Sequence, residues 1–329
     1  MSATGPHASR NPRLSPAAVA PRHVPRTVAE LPAGGNALPV GSPGKVGVLD
    51  VQFSRSAGSA SSPNAARYDA GRTVLSGRFH KSPLQMIRPH YADRALPGVP
   101  IAQIASTGGG VVSGDRLRID VAVDRGAHAI VTTQGATRLL RAEHGWASQC
   151  TRIGVGENAV CEWMPDVTIP YAGSRFVGEV DAVVGGGATL VLGEVLTAGR
   201  AGRDAPWSAE AFDSRTSISR PGGELLALDR CVFGAGTGPG ASVALEGCGA
   251  VGSLFVVCPA PVDDVAEAMR GQAGTEASVR TGVSTLPAGG AWARVLGESP
   301  ERVASAMRRM WSAAREIYLG VPAPELRSL

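Results

Sequence analysis

The acids of this sequence are the first residues that invite a chemical reading. Glu194 lies inside the apolar run Leu190 to Leu196, where an ionised carboxylate is costly if buried without a partner. Arg200 or Arg203, a few residues on, would serve as an ion-pair partner. Glu162 stands beside Trp163 in the segment CEWMPD, and Asp115 ends the glycine-rich stretch TGGGVVSGD. In a hydrolase, Asp115, Glu162 or Glu194 would act as general acid or base. No GxSxG or HExxH motif accompanies them, so no nucleophile or metalloprotease site can be read. His80, His90, His128 and His144 have no HxH or HxxxH spacing that would group them as ligands. The cysteines, 5 in number with no CxxC pair, sit among apolar or small residues and read as small buried hydrophobes in a reducing compartment.

The glycine-rich stretch Thr107 to Asp115 resembles a phosphate loop only superficially. A phosphate loop needs GxxxxGK[ST], whose lysine reaches the phosphates, and a dinucleotide fingerprint must open a helix. Here the stretch ends in an aspartate and runs into RLRIDVAV, an alternating strand. The expectation is a tight corner, with Asp115 accepting hydrogen bonds from the turn backbone.

The elements that position these residues are mostly strands. In RLRIDVAV, Leu117, Ile119, Val121 and Val123 alternate with Arg116, Arg118, Asp120 and Ala122, the period of a half-buried strand. KVGVLDVQF alternates likewise. Further strands are expected at 101–106, 127–133, 159–163, 176–184, 189–196, 224–233 and 253–258, and the short spacing of turn clusters favours a mainly antiparallel β domain. Two helices are expected late. One spans Val262 to Gly271. The other spans 299–320, with Ser299 as cap, Pro300 at the first position and Gly320 at the stop. Its apolar stripe is Val303, Met307, Met310, Ala314, Ile317 and Tyr318, with Arg302, Arg308, Arg309, Arg315 and Glu316 on the remaining surface.

Residues 1–42 are rich in Pro, Ala and Gly, basic, and without apolar periodicity, so a disordered tail is expected there and a single domain over 43–329. The tail lacks the apolar core of a secretory signal, and its arginine-rich, acid-poor start also fits an organellar transit peptide. A formal net charge of +4 with only 5% aromatic residues gives little support to nucleic-acid binding, and no apolar run is long enough to span a membrane. Widely spaced aromatics also leave little basis for a carbohydrate-binding platform, so a β-rich hydrolase or ligand-binding module stays as the alternative reading.

Several motifs in order resemble the urease accessory proteins of the UreD (UreH) family. They are GKVGVLDVQFSR at Gly44 to Arg55, GRTVLSGRFHKSPLQMIRPHY at Gly71 to Tyr91, and the glycine corner with its following strand. GAHAIVTTQGATRLLRA at Gly126 to Ala142, CEWMPDVTIPYAGSRF at Cys161 to Phe176, GATLVLGEVLTAGRAG at Gly187 to Gly202 and the final helix continue the series. The resemblance implies a large antiparallel, β-helix-like domain with two late α-helices. It also implies a cytoplasmic, non-catalytic scaffold that binds urease apoprotein with UreF and UreG and passes nickel, held only transiently, to the urease active site. Acids in the matching motifs, Asp115, Glu162, Asp166 and Glu194, are then the candidates for nickel transit.

Overall fold

The computed structural model describes residues 15–29, 45–57, 70–200, 202–234, 245, 247–273, 278–287 and 289–326. It has two facing β-sheets with two helices against one of them. Strands β1 (Val46–Ala57), β2 (Ala70–Lys81), β5 (Arg116–Val123), β8 (Ala147–Val155), β11 (Arg175–Val184), β13 (Ala211–Ser219) and β14 (Leu225–Gly234) form a seven-stranded sheet in the order β14-β13-β11-β8-β5-β1-β2. The second sheet has the order β16 (Val279–Thr285), β17 (Ala291–Gly297), β15 (Ala250–Val257), β12 (Thr189–Thr197), β9 (Val160–Trp163), β6 (His128–Thr133), β4 (Ile101–Ser106) and β3 (Leu84–Met86). Two short strands, β7 (Thr137–Leu139) and β10 (Thr168–Pro170), pair with each other and join this sheet through β10 and β12, making it ten-stranded.

The expected alternation is present, but the pairing in the middle of both sheets is parallel rather than antiparallel. β1, β5, β8, β11 and β13 run parallel, as do β4, β6, β9 and β12. Parallel neighbours need a long connection. Here a strand of the opposite sheet supplies it, so the chain coils like a β-helix, and antiparallel pairs appear only toward the margins. Parallel register stacks like upon like: Val51, Val121, Ile153, Ala182 and Ile218 follow one another across the first sheet. Each side chain of that size withdrawn from water stabilises the fold by about 1.5–3 kcal/mol.

The inner faces of both sheets form one core, and a second core lies between the ten-stranded sheet and helices α3 (Val262–Arg270) and α4 (Pro300–Leu319). Ser299 caps α4 by accepting from Arg302 N, and Gly320 ends it at φ 73°, as its sequence signals predict. The stripe differs at three residues. Ile317 is exposed, while Trp311 and Arg315 are fully buried. No helix of the described residues is long and apolar enough to cross a membrane.

Part of the stretch expected to be disordered is instead seated on the outer face of the seven-stranded sheet. Two helical turns, α1 (Pro16–Val19) and α2 (Arg26–Ala29), bury Val19 and Val28. Val28 packs with Val177, Ala211 and the half-buried Trp146. Arg118 Nη1 donates to Ala18 O at 3.2 Å, and Arg22 N donates to Glu179 Oε2 at 2.8 Å. Composition misses this because the sheet, and not the segment, supplies the partners. Residues 1–14 and 30–44 lie outside the described residues. Val28→Asp is expected to strip hydrogen-exchange protection from residues 15–29 while β5, β8 and β11 keep theirs; loss of protection across the sheet would show the segment to be integral to the core.

Candidate functional site

The ten-stranded sheet has a hole. β9 pairs with β12 up to Trp163↔Leu192 and with β6 up to Val131↔Trp163, and pairing with β12 resumes only at Thr168↔Leu196 in β10. Between them Met164 to Val167 leave the ladder, and Pro165 has no N–H to contribute. Gly193 and Glu194 of β12 therefore have β15 on one side, through Gly193↔Leu254 and Glu194↔Ser253, and the gap on the other.

Side-chain alternation directs what faces the gap. Leu192 and Leu196 point into the core between the sheets, Val191 and Val195 toward the helices. Glu194 therefore points inward. A cavity of about 410 Å³ between the sheets runs from an exposed rim at Gly109, Gln134 and Arg138 to Trp163, Asp166 and Glu194. A second, of about 180 Å³, lies under α4 and shares Thr133, Asp166, Gly193 and Glu194 with the first.

Glu194 is not paired with Arg200 or Arg203. Arg200 instead holds Asp204 at 2.8 Å, and its hydrogen bonds keep that carboxyl down at about 2; Arg203 is exposed. Ser214 Oγ donates to Glu194 Oε1 at 3.3 Å. Burial raises the Glu194 carboxyl above the ordinary glutamate value, and Asp229 adds to that, against the hydrogen bond from Ser214 and the charge of Arg294. Arg294 itself pairs with Asp229 at 2.7 Å and donates to Ser253 Oγ at 2.8 Å. Cys231 nearby is pushed up to about 12 by burial and then by Glu194. Sequence reading missed Asp229 and Arg294. The available signal was a charge at an inward position between apolar neighbours, as Arg294 stands between Trp292 and Leu296.

Asp166 joins Glu194 at the gap. It lines both cavities, its N donates to Thr133 Oγ1 and its Oδ1 accepts from Val167 N. Glu162 does not join them. It projects from the opposite face of the sheet beneath α4, fully buried, where Oε1 accepts from Arg315 Nε at 3.0 Å and Tyr318 OH at 3.0 Å. His128 Nε2 stands 3.5 Å away, and Arg315 also reaches Asp93 at 2.6 Å. Burial alone would raise the Glu162 carboxyl, but His128, Arg315 and Tyr318 together hold it below the ordinary value. Asp115 lies apart again, in the corner, where its carboxylate accepts from Val112 N at 3.0 Å and Lys45 N at 2.8 Å. That is the turn-closing role expected of it.

The three acids considered for hydrolysis are thus in three places. Asp115 closes a turn, Glu162 anchors a helix, and Glu194 faces a cavity. His80, His90 and His144 are exposed. Among the described residues no three His, Cys, Asp or Glu side chains converge to hold a metal ion. What the gap offers is two carboxylates, Glu194 and Asp166, each lining both cavities.

Residues 58–328 match the family model described as UreD urease accessory protein. Urease accessory protein UreD 2 of Streptomyces griseus is 39% identical over 295 residues, covering 88% of this chain and 96% of the relative. UreD 2 of Methylorubrum extorquens is 34% identical, covering 84% and 86%, and UreD of Photorhabdus laumondii 31%, covering 87% and 86%.

Two outcomes are expected from these contacts. Arg315→Ala leaves Glu162 and Asp93 buried without their cation and should cost about 3–5 kcal/mol by urea unfolding; a change within error would show that water replaces the guanidinium. For Glu194 the folded carboxyl is raised, so its ionisation opposes folding once the pH climbs through that raised value. Glu194→Gln should therefore melt higher than the wild type at neutral pH, with the difference closing as the pH falls below the ordinary value of 4.5. A constant difference across that range would contradict the assignment.

Proposed function

The chain belongs to the UreD urease accessory protein family, and we propose that within urease maturation it is a non-catalytic scaffold that binds urease apoprotein together with UreF and UreG and carries nickel toward the urease active site. The observation that supports this most is the position of Glu194, at an interruption of the sheet where the inter-sheet cavity meets the pocket under α4.

Nickel in transit is a cargo, so it must be bound weakly enough to leave. As a borderline divalent ion it accepts carboxylate and water. Glu194 and Asp166 supply carboxylates, and Thr133 a hydroxyl, along a cavity walled by Leu84, Ile104 and Trp163. The apolar wall keeps competing ligands few, and the separated acids keep the hold loose. Asp115 and Glu162, with their oxygens engaged by backbone donors and by Arg315, fall outside the route. A cytoplasmic setting accords with five free cysteines.

Because a proton and a cation compete for the same carboxylate, the raised affinity of Glu194 for its proton makes nickel transfer weaken as the pH falls, starting above the range of an ordinary glutamate. With the complex of this chain, UreF, UreG and urease co-purified, Glu194→Ala should leave assembly intact and lower urease nickel by roughly 10-fold. Loss of the complex would assign Glu194 a structural role, and full nickel loading would refute transit past it.

A further inference from the structure

If nickel travels between the sheets, it must have a way out, and the described residues offer two exits beside Glu194. One is the row Glu194, Ser253, Arg294, which are register neighbours across β12, β15 and β17. The cavity there has about 10 Å³, roughly the room of one water. It is closed by the ion pair of Arg294 with Asp229 and leaves too little room for a hydrated cation. The other is the gap itself, which opens on about 180 Å³ beneath α4.

We propose that the gap between Gly193 and Pro165 is the port through which the cation passes from the inter-sheet cavity to the pocket under α4, with the thioether arms of Met164 and Met307 as its gate. This rests on the transit reading above and specifies the exit it leaves open. Gly193 faces the helix side, and a Cβ there would meet Met164 Sδ at 2.8 Å and Met307 Cε at 3.4 Å. Any larger residue would thus occupy the space the two methionines close over. Methionine suits a gate because its unbranched side chain changes rotamer at low cost and its sulfur binds a borderline divalent ion only weakly. Asp166 and Glu194 hold the rim on which the cation would rest before passing. The pocket beyond is bounded by Ala304, Met307 and Arg308 of α4 and by Leu326 of the terminal segment. α4 and the residues after it therefore form the outer lip of the port.

The test supplies limiting nickel(II) to the complex of the full chain with UreF, UreG and urease apoprotein, then counts the metal in re-isolated urease. Gly193→Val should abolish most of the delivery while the complex elutes intact, and Met307→Ala added to it should restore most of what was lost. Wild-type delivery by Gly193→Val in an intact complex overturns the port. Should Gly193→Val fail to fold, Ala304→Phe fills the pocket from the helix side and carries the same two outcomes. Glu194→Gln, run alongside, separates the two ideas. Loss in Glu194→Gln with full delivery by the Gly193 variant refutes the port alone, whereas full delivery by both refutes transit itself.

Discussion

A parallel sheet can be interrupted only where the backbone groups released from the ladder find other partners, since a buried unpaired N–H costs as much as a lost hydrogen bond. Between Trp163 and Thr168 that condition is met locally. Met164 N still reaches Val131 O, Pro165 has no N–H, Asp166 N donates to Thr133 Oγ1, and Val167 N donates to Asp166 Oδ1. Two side chains and one proline thus hold open a sheet that would otherwise close. The arrangement of the interior depends on this: the gap gives Glu194 a flank without a neighbouring strand, adjoins both cavities, and places Gly193 where an added Cβ would have to displace the Met164 thioether.

The second requirement is a fixed lip. α4 crosses the outer face of the sheet and is anchored near its end by Arg315, a fully buried cation that binds Glu162, Asp93 and Pro322 O together. A buried charge network of this kind is a poor source of net stability, because desolvation consumes most of the attraction, but it admits few alternative arrangements. It accordingly reads as a positioning device. Glu162 Oε2 and His128 Nε2 have no hydrogen-bond partner among the described residues, so the network is not fully saturated. The acids of the chain therefore divide by the face they occupy. Glu162 locks the helix outside the sheet, and Glu194 serves the cavity inside.

Much of this was legible in the sequence where one face is apolar and the other polar. Leu117, Ile119, Val121 and Val123 alternate cleanly, and β5 follows; β4 spans the residues expected, and β12 and α4 differ at their ends by a residue. β8 and β13 went unread because their inward positions include Thr151, Ser214 and Thr216, which hide the period. Parallel pairing was also hidden, since alternation reports which face a residue takes and not which strand lies beside it. Glu194 announced itself by its apolar neighbours. Its partners did not, because Arg294 lies 100 residues away and reaches the cluster only through register with Ser253. Arg315 was read as surface on helical spacing alone, and its burial follows from acids on strands that the helix pattern does not contain.

The central claim is that the space between the sheets beside Glu194 is where nickel travels. Anomalous diffraction at the nickel edge, from crystals of this chain with its accessory partners soaked at saturating nickel(II), tests it most directly. The account predicts a nickel peak inside the sandwich, within coordinating distance of the Glu194 carboxylate. Nickel confined to outer-surface histidines such as His80, His90 or His144, with the cavity empty at saturation, would contradict it.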